Sequence, residues 1–162
     1  MSIIDIHQPI VGAPHFTWDE LTATSHRLYV YRNRRVPTEY KKAGEDLARM
    51  MERIRSFWNK PIFVHSAYRC LELNTAIGGS KTSQHMKFEA CDFHVFGVSL
   101  LEVFQEIRWS DVPYGQLILE GWEPAKGDAS WVHVSLGQPY RPIEKCGESL
   151  YYSIKTGTYE HV

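Results

Sequence analysis

Residues 83–95 read SQHMKFEACDFHV, and the last six of them decide the fold. In Ala90-Cys91-Asp92-Phe93-His94-Val95 a carboxylate sits among apolar neighbours, where a charge is costly unless something pairs with it or a cation binds it. Successive side chains of a strand point to opposite faces. Cys91, Phe93 and Val95 therefore share an inward face, while Ala90, Asp92 and His94 share the other. The run predicts a strand whose outer face carries chemistry.

Two later segments obey the same rule. In WVHVSL, residues 131–136, Val132, Val134 and Leu136 face the core, which leaves Trp131, His133 and Ser135 on the side of Asp92. In QLILE, residues 116–120, Leu117 and Leu119 turn inward and Gln116, Ile118 and Glu120 turn out. A ten-residue loop rich in Gly, Pro, Ala and Asp separates these strands, so they are expected to pair as a hairpin with Glu120 and His133 on one face. His85 lies seven residues before Asp92, just after the GGSKTSQ loop, and can fold back over it. Two imidazoles and a carboxylate with an open fourth position form the donor set of a catalytic zinc. A carboxylate nearby can then take the proton of a zinc-activated water. By residue type alone His65, His94 and Cys91 remain possible substitutes in this set, although strand parity turns Cys91 inward.

The remaining chain reads as helices first and strands mostly later, the pattern of an α+β fold with a small antiparallel sheet and flanking helices. Thr17 stands three residues before Glu20, a capping-box spacing for a short helix. Over residues 39–58 apolar side chains recur at Leu47, Met50, Met51, Ile54, Phe57 and Trp58, the spacing of the main amphipathic helix. It is expected to end before Pro61. PIFVHSAY reads as a strand, CLELNTAIGGS as a short helix stopped by Gly78 and Gly79, and Ser99 as the cap of a helix running to Trp109. LYYSIK predicts a strand near the end, and residues 151–162 a closing strand with a loose end. Residues 1–15 are expected to form an N-terminal arm on a single domain spanning residues 16–162.

Bulk properties narrow the function. A chain of 162 residues, 43% hydrophobic and 23% charged, suits one ordinary globular core. A net charge of −1 argues against nucleic acid or an anionic membrane as partner. The basic residues Arg32, Arg34, Arg35, Lys41 and Lys42 read as solvated surface. The opening MSIIDIHQPIVGAPHF lacks a basic start and holds Asp5, Pro9 and Pro14 within its apolar stretch, so no signal peptide is expected. No run approaches the ~20 apolar residues of a membrane-spanning helix. Three scattered cysteines make no disulfide framework, which suits folding in a reducing cytoplasm.

The segment SAYRCLELNTAIGGSKTSQHMKFEACDF resembles the zinc-binding segment of the M15 peptidases, the D-Ala-D-Ala carboxypeptidase-like enzymes, and most of all their phage-type branch of peptidoglycan-cleaving endolysins. The resemblance rests on Ser66, Tyr68, Arg69, Asn74, Gly78, Gly79, Ser83, His85, Ala90 and Asp92. A second block, WVHVS, is similar to the family's final histidine motif, so the likeness covers roughly residues 16–137. It implies the hedgehog/DD-peptidase-like fold. It also implies one Zn²⁺ per chain, held by His85, Asp92 and His133. Arg69 matches the arginine that meets the substrate's carboxylate or the developing oxyanion. Tyr68, Ser83 and Trp131 are expected to line or order the substrate cleft. Many members carry an acid three positions before the last histidine. Here that position is Ser130, and the general base implied is Glu120, with Asp128 as the runner-up. Gly115 replaces an aspartate frequent in the branch.

The expected activity is a zinc metallopeptidase acting on peptidoglycan stem or cross-link peptides, as endopeptidase or carboxypeptidase. The alternative is a non-catalytic zinc-binding virion or wall-binding module on the same fold. A monomer is expected, made in the cytoplasm and acting on the cell wall after release, without nucleic-acid or membrane partners.

Overall fold

The computed structural model describes residues 2–162. Five α-helices precede or punctuate six strands: α1 (Trp18–Leu21), α2 (Val30–Asn33), α3 (Lys41–Ser56), β1 (Ile62–Ser66), α4 (Leu71–Ala76), β2 (Ala90–Val95), α5 (Leu100–Trp109), β3 (Tyr114–Glu120), β4 (Trp131–Leu136), β5 (Glu148–Ser153) and β6 (Thr158–His161). This is an α+β architecture on one sheet, ordered β1-β2-β4-β3-β5-β6. All neighbours are antiparallel except β3 and β5, which run parallel. The expected antiparallel sheet is thus mixed at one pair. The chain leaves β4 through residues 137–147 and returns beside β3 in the same direction. The end expected to be loose is instead the edge strand β6.

Local signals explain the helix bounds. Thr17 Oγ1 accepts the Glu20 N–H at 3.1 Å and starts α1. Ser99 Oγ does the same for Glu102 at 3.2 Å and starts α5. After Pro37 the chain makes one tight turn, Thr38–Tyr40, so α3 begins at Lys41 rather than at residue 39. It ends at Ser56, with Asn59 in the left-handed region (φ 49°) reversing the chain before Pro61.

One face of the sheet carries Cys91, Phe93, Val132, Val134, Leu117 and Leu119, each fully buried. Helices α3 and α5 cover it. The first fifteen residues are more than an arm. Ile4, Ile10 and Ala13 enter the core, since apolar side chains so spaced need cover. Bonds from Arg49 to the Val11 carbonyl (3.0 Å) and from His15 to Glu52 (2.5 Å) fasten the segment to α3. The basic patch is neutralised piecewise: Arg32 pairs with Glu72, Arg34 with Asp19, Lys41 with Glu45 and Lys42 with Asp46. Among the described residues no helix is long and apolar enough to cross a membrane.

Candidate metal centre and cleft

The sheet's register places two of the three donors. Asp92 on β2 stands directly opposite His133 on β4, and the same row continues to Ser66 on β1 and Ile118 on β3. Side chains directly opposite in an antiparallel pair share a face at close range. The third donor arrives from outside the sheet. His85 sits in the tight turn Gln84–Lys87, and its carbonyl accepts the Arg69 N–H at 3.1 Å. The loop before it is shaped by two glycines. Gly78, at φ +71°, stops α4 in a conformation that L side chains rarely adopt. Gly79 lies so close to Asn74 that a Cβ there would fall 2.3 Å from Asn74 Oδ1. Asn74 in turn donates from Nδ2 to the Ser80 carbonyl at 2.9 Å. The polar cluster Asn74–Gly79–Ser80 thereby fixes the path that carries His85 inward.

The result is a buried group in which one ligand atom each from His85, Asp92 and His133 lies within 4.8 Å of the others. His65, His94 and Cys91 do not belong to it. Cys91 is buried on the opposite face, as parity required, and His94 bonds instead to His65 (Nδ1 to Nε2, 2.9 Å).

The donor geometry suits a cation. His85 Nδ1 lies 2.8 Å from the Ala67 carbonyl, which can only accept, so Nδ1 carries the hydrogen and Nε2 presents a lone pair. That lone pair faces Asp92 Oδ2 at 3.3 Å. On His133, Nδ1 lies 2.7 Å from Asp92 Oδ1, and Nε2 lies 3.3 Å from the amide oxygen of Gln84. Two imidazoles and a carboxylate therefore converge in one buried group, a donor set that suits a divalent cation. Burial outweighs the pull of Asp92 and keeps the His85 imidazole below its usual pKa, in the neutral form that metals bind. Burial alone would raise the Asp92 carboxyl, but the two imidazoles beside it more than offset this and hold it below the ordinary range. The donor set, its burial and its outer hydrogen bonds fit a divalent ion of the zinc type.

Around this group the sequence-predicted residues divide. Glu120 pairs with Trp131, one inter-strand row from His133 and on the same face. Burial pushes its carboxyl above the ordinary glutamate value; His133 draws it down and Asp92 adds to the rise. Arg69 and Trp131 line a cleft of about 210 Å³ together with Ser66, His65 and Asp92. The Arg69 Nε is buried, with no hydrogen-bond partner among the described residues. Burial also lowers the Arg69 pKa, an effect that Asp92 opposes.

Tyr68 is not in this cleft. It is buried against Phe88 (ring centroids 5.4 Å) and lines a separate hollow with Tyr31, Tyr40 and Met86. Neighbouring residues of an extended chain point opposite ways, so Arg69 in the cleft turns Tyr68 out of it. Ser83 opens the turn that carries His85 but bonds none of the three donors through its hydroxyl. That outer role falls to Gln84, whose Nε2 also donates to Ser135 Oγ at 3.0 Å. Its position beside His85 was the only signal for it in the sequence. Asp128, the runner-up base, is exposed in the β3–β4 loop, where its carboxylate accepts the Ala129 N–H at 2.8 Å.

Residues 14–135 match the family model described as Peptidase M15, a span that holds the three donors, Arg69 and Glu120. No curated protein matches the chain.

Proposed function

The chain belongs to the peptidase M15 family, and from that premise we propose that it is a zinc metallopeptidase hydrolysing peptidoglycan stem or cross-link peptides. The observation that carries this reading is the convergence of the His85 and His133 rings on Asp92, with Glu120 on the same sheet face. His85 Nε2, an Asp92 carboxylate oxygen and His133 Nδ1 would hold the ion. Bound there, zinc supplies a Lewis acid for a peptide carbonyl and lowers the pKa of a coordinated water to about 7.

The chain's own groups do the rest. Glu120 accepts the water's proton on its carboxylate as the oxygen attacks the carbonyl carbon, then returns it to the leaving amine nitrogen. Burial raises its pKa, which makes the carboxylate a better proton acceptor than an exposed glutamate. Arg69, partly desolvated and with an unpartnered Nε, offers charged donors to a substrate carboxylate or to oxygen that becomes negative during attack. Trp131 and Ser66 wall the cleft. The Ala67 carbonyl holds His85 in the tautomer that leaves Nε2 free, and Gln84 supports the His133 ring from its Nε2 side.

The test pairs metal analysis with digestion of purified peptidoglycan. About one zinc per chain is expected by elemental mass spectrometry, with new amino groups released from the wall. Glu120→Gln should keep the zinc and lose about 10²–10⁴-fold in rate. A wild type that stays metal-free when zinc is supplied would sink this reading in favour of a wall-binding module, and a Glu120→Gln protein of full activity would take the base's role from Glu120.

A further inference from the structure

The strand register places one row of side chains across the whole sheet, one step beyond the row that carries Asp92 and His133. Phe63 on β1 pairs with His94 on β2, Trp131 on β4 with Glu120 on β3, Glu120 with Tyr152 on β5, and Tyr152 with Tyr159 on β6. Counting on from the Phe93–Val132 pair sets His94 opposite Trp131 and closes the row. Every member but Glu120 is an aromatic ring. Tyr151 packs against Phe104 of α5 on the covered face, so Tyr152 stands on the open one. Tyr152 and Tyr159 lie 4.7 Å apart between ring centroids, tilted by 38°, and Tyr159 is 54% exposed. Among the described residues neither hydroxyl has a hydrogen-bond partner. The hairpin that carries them lies outside residues 14–135, the span matching the family.

Position gives the row a polarity. The Arg69 cleft opens on the β1–β2 side of the buried triad, and the tyrosine pair stands on the β5–β6 side of Glu120. A stem peptide has two unlike ends. Its amino end is amide-linked to an N-acetylated sugar of the glycan strand, and its far end carries carboxylate. If carboxylate lies toward Arg69, the amino end leaves across Glu120 toward β5 and β6. Strands are about 4.8 Å apart, so β6 is about 10 Å from β3. An extended peptide spans that in about three residues. A pyranose ring has an apolar C–H face and a polar rim, and paired tyrosines offer matching rings with polar tips at low entropic cost.

We propose that Tyr152 and Tyr159 form a stacking platform for an N-acetylated sugar of the glycan strand to which the cleaved peptide is attached. This rests on the peptidoglycan reading above. Through the platform the C-terminal hairpin selects peptide still joined to sugar over free peptide.

The test compares kcat and KM for one stem peptide in two forms, linked to its disaccharide and free with an acetylated amino end. The wild type should favour the sugar-linked form at least tenfold, mainly through KM. Tyr159→Ala, at an exposed edge position, should collapse that ratio toward one, and Tyr159→Phe should keep it. Titration calorimetry of the peptide-free N-acetylated oligosaccharide against the same proteins decides the platform independently of cleavage. Glycan binding that Tyr159→Ala abolishes supports it even if no peptide is hydrolysed, in which case the metallopeptidase reading alone fails. Equal kcat/KM for both substrates together with no glycan binding overturns the platform, as does a preference that survives both Tyr152→Ala and Tyr159→Ala.

Discussion

Gln84 Oε1 stands 3.3 Å from His133 Nε2, on the far edge of the ring from Asp92. One residue thus joins two donors of the site: it neighbours His85 in the chain and contacts His133 in space. Its amide nitrogen lies 3.0 Å from Ser135 Oγ, which also accepts the Gln116 N–H at 3.0 Å.

Removing that acceptor should therefore weaken metal binding without touching a ligand. Gln84→Ala is expected to lose 10–100-fold in zinc affinity, the usual cost of deleting an outer partner of a ligating histidine. Competition against a chromophoric chelator measures it. Unchanged affinity would mean that Asp92 alone orients the His133 ring.

The glycine pair makes a second, purely steric prediction. Ala at position 79 would push its Cβ to 2.3 Å from Asn74 Oδ1, and Asn74 is anchored through Ser80 and cannot give way freely. Gly79→Ala should cost about 1–3 kcal/mol in urea unfolding, as overpacking does. It should also lower zinc affinity, because the displaced loop carries His85. Gly78→Ala strains only the left-handed backbone, with nothing within 4 Å of the new Cβ, and should be the milder change. The reverse order would contradict the packing argument.

A third prediction concerns acid. Burial raises the Asp46 carboxyl, but the Tyr140 hydroxyl (2.5 Å), Arg49 and Lys42 (3.0 Å) outweigh it, so the folded pKa lies below the unfolded one. A depressed carboxyl pKa stabilises the fold above the unfolded value of about 3.9, and that contribution disappears as pH falls through the folded pKa. Asp46→Asn should cost about 1–2 kcal/mol near pH 7, from hydrogen bonds to a charged acceptor. Thermal melts across pH would show the gap between variant and wild type closing below about pH 4. A gap independent of pH would assign the loss to packing of Tyr140 instead.

Much of the fold and the triad was legible because strand alternation is a two-valued code. Asp92, His133 and Glu120 sort to one face by counting, and the register bears this out. What counting cannot supply is the partner across a long connection. The parallel β3–β5 pair depends on how residues 137–147 cross, so the row through Tyr152 and Tyr159 was invisible in the sequence. Tyr68 stands outside the Arg69 cleft for a related reason. Motif position placed it beside Arg69, but alternation turned it into the core. That Ile4 and Ile10 of the expected arm enter the core could not be read from the sequence, because an apolar residue near a chain end carries no sign of what it covers.

The last prediction reverses an ordinary preference. Phe88 lies in the left-handed region at φ 62° and ψ 31°, at the end of the turn that carries His85. It is fully buried against Trp18 (5.7 Å) and Tyr68 (5.4 Å), and that packing holds a backbone that a non-glycine residue resists. Phe88→Ala deletes the ring but keeps a Cβ at positive φ, and should cost about 3–5 kcal/mol. Phe88→Gly removes slightly more side chain yet releases the steric penalty of about 1–2 kcal/mol that L residues meet there. Glycine should therefore be the more stable of the two by about 0.5–1 kcal/mol, although alanine wins at helical positions by a similar margin. Urea denaturation of the two variants side by side reads the sign directly. Alanine the more stable would show that the turn relaxes out of the left-handed region once the ring is gone, and His85 would then move with it.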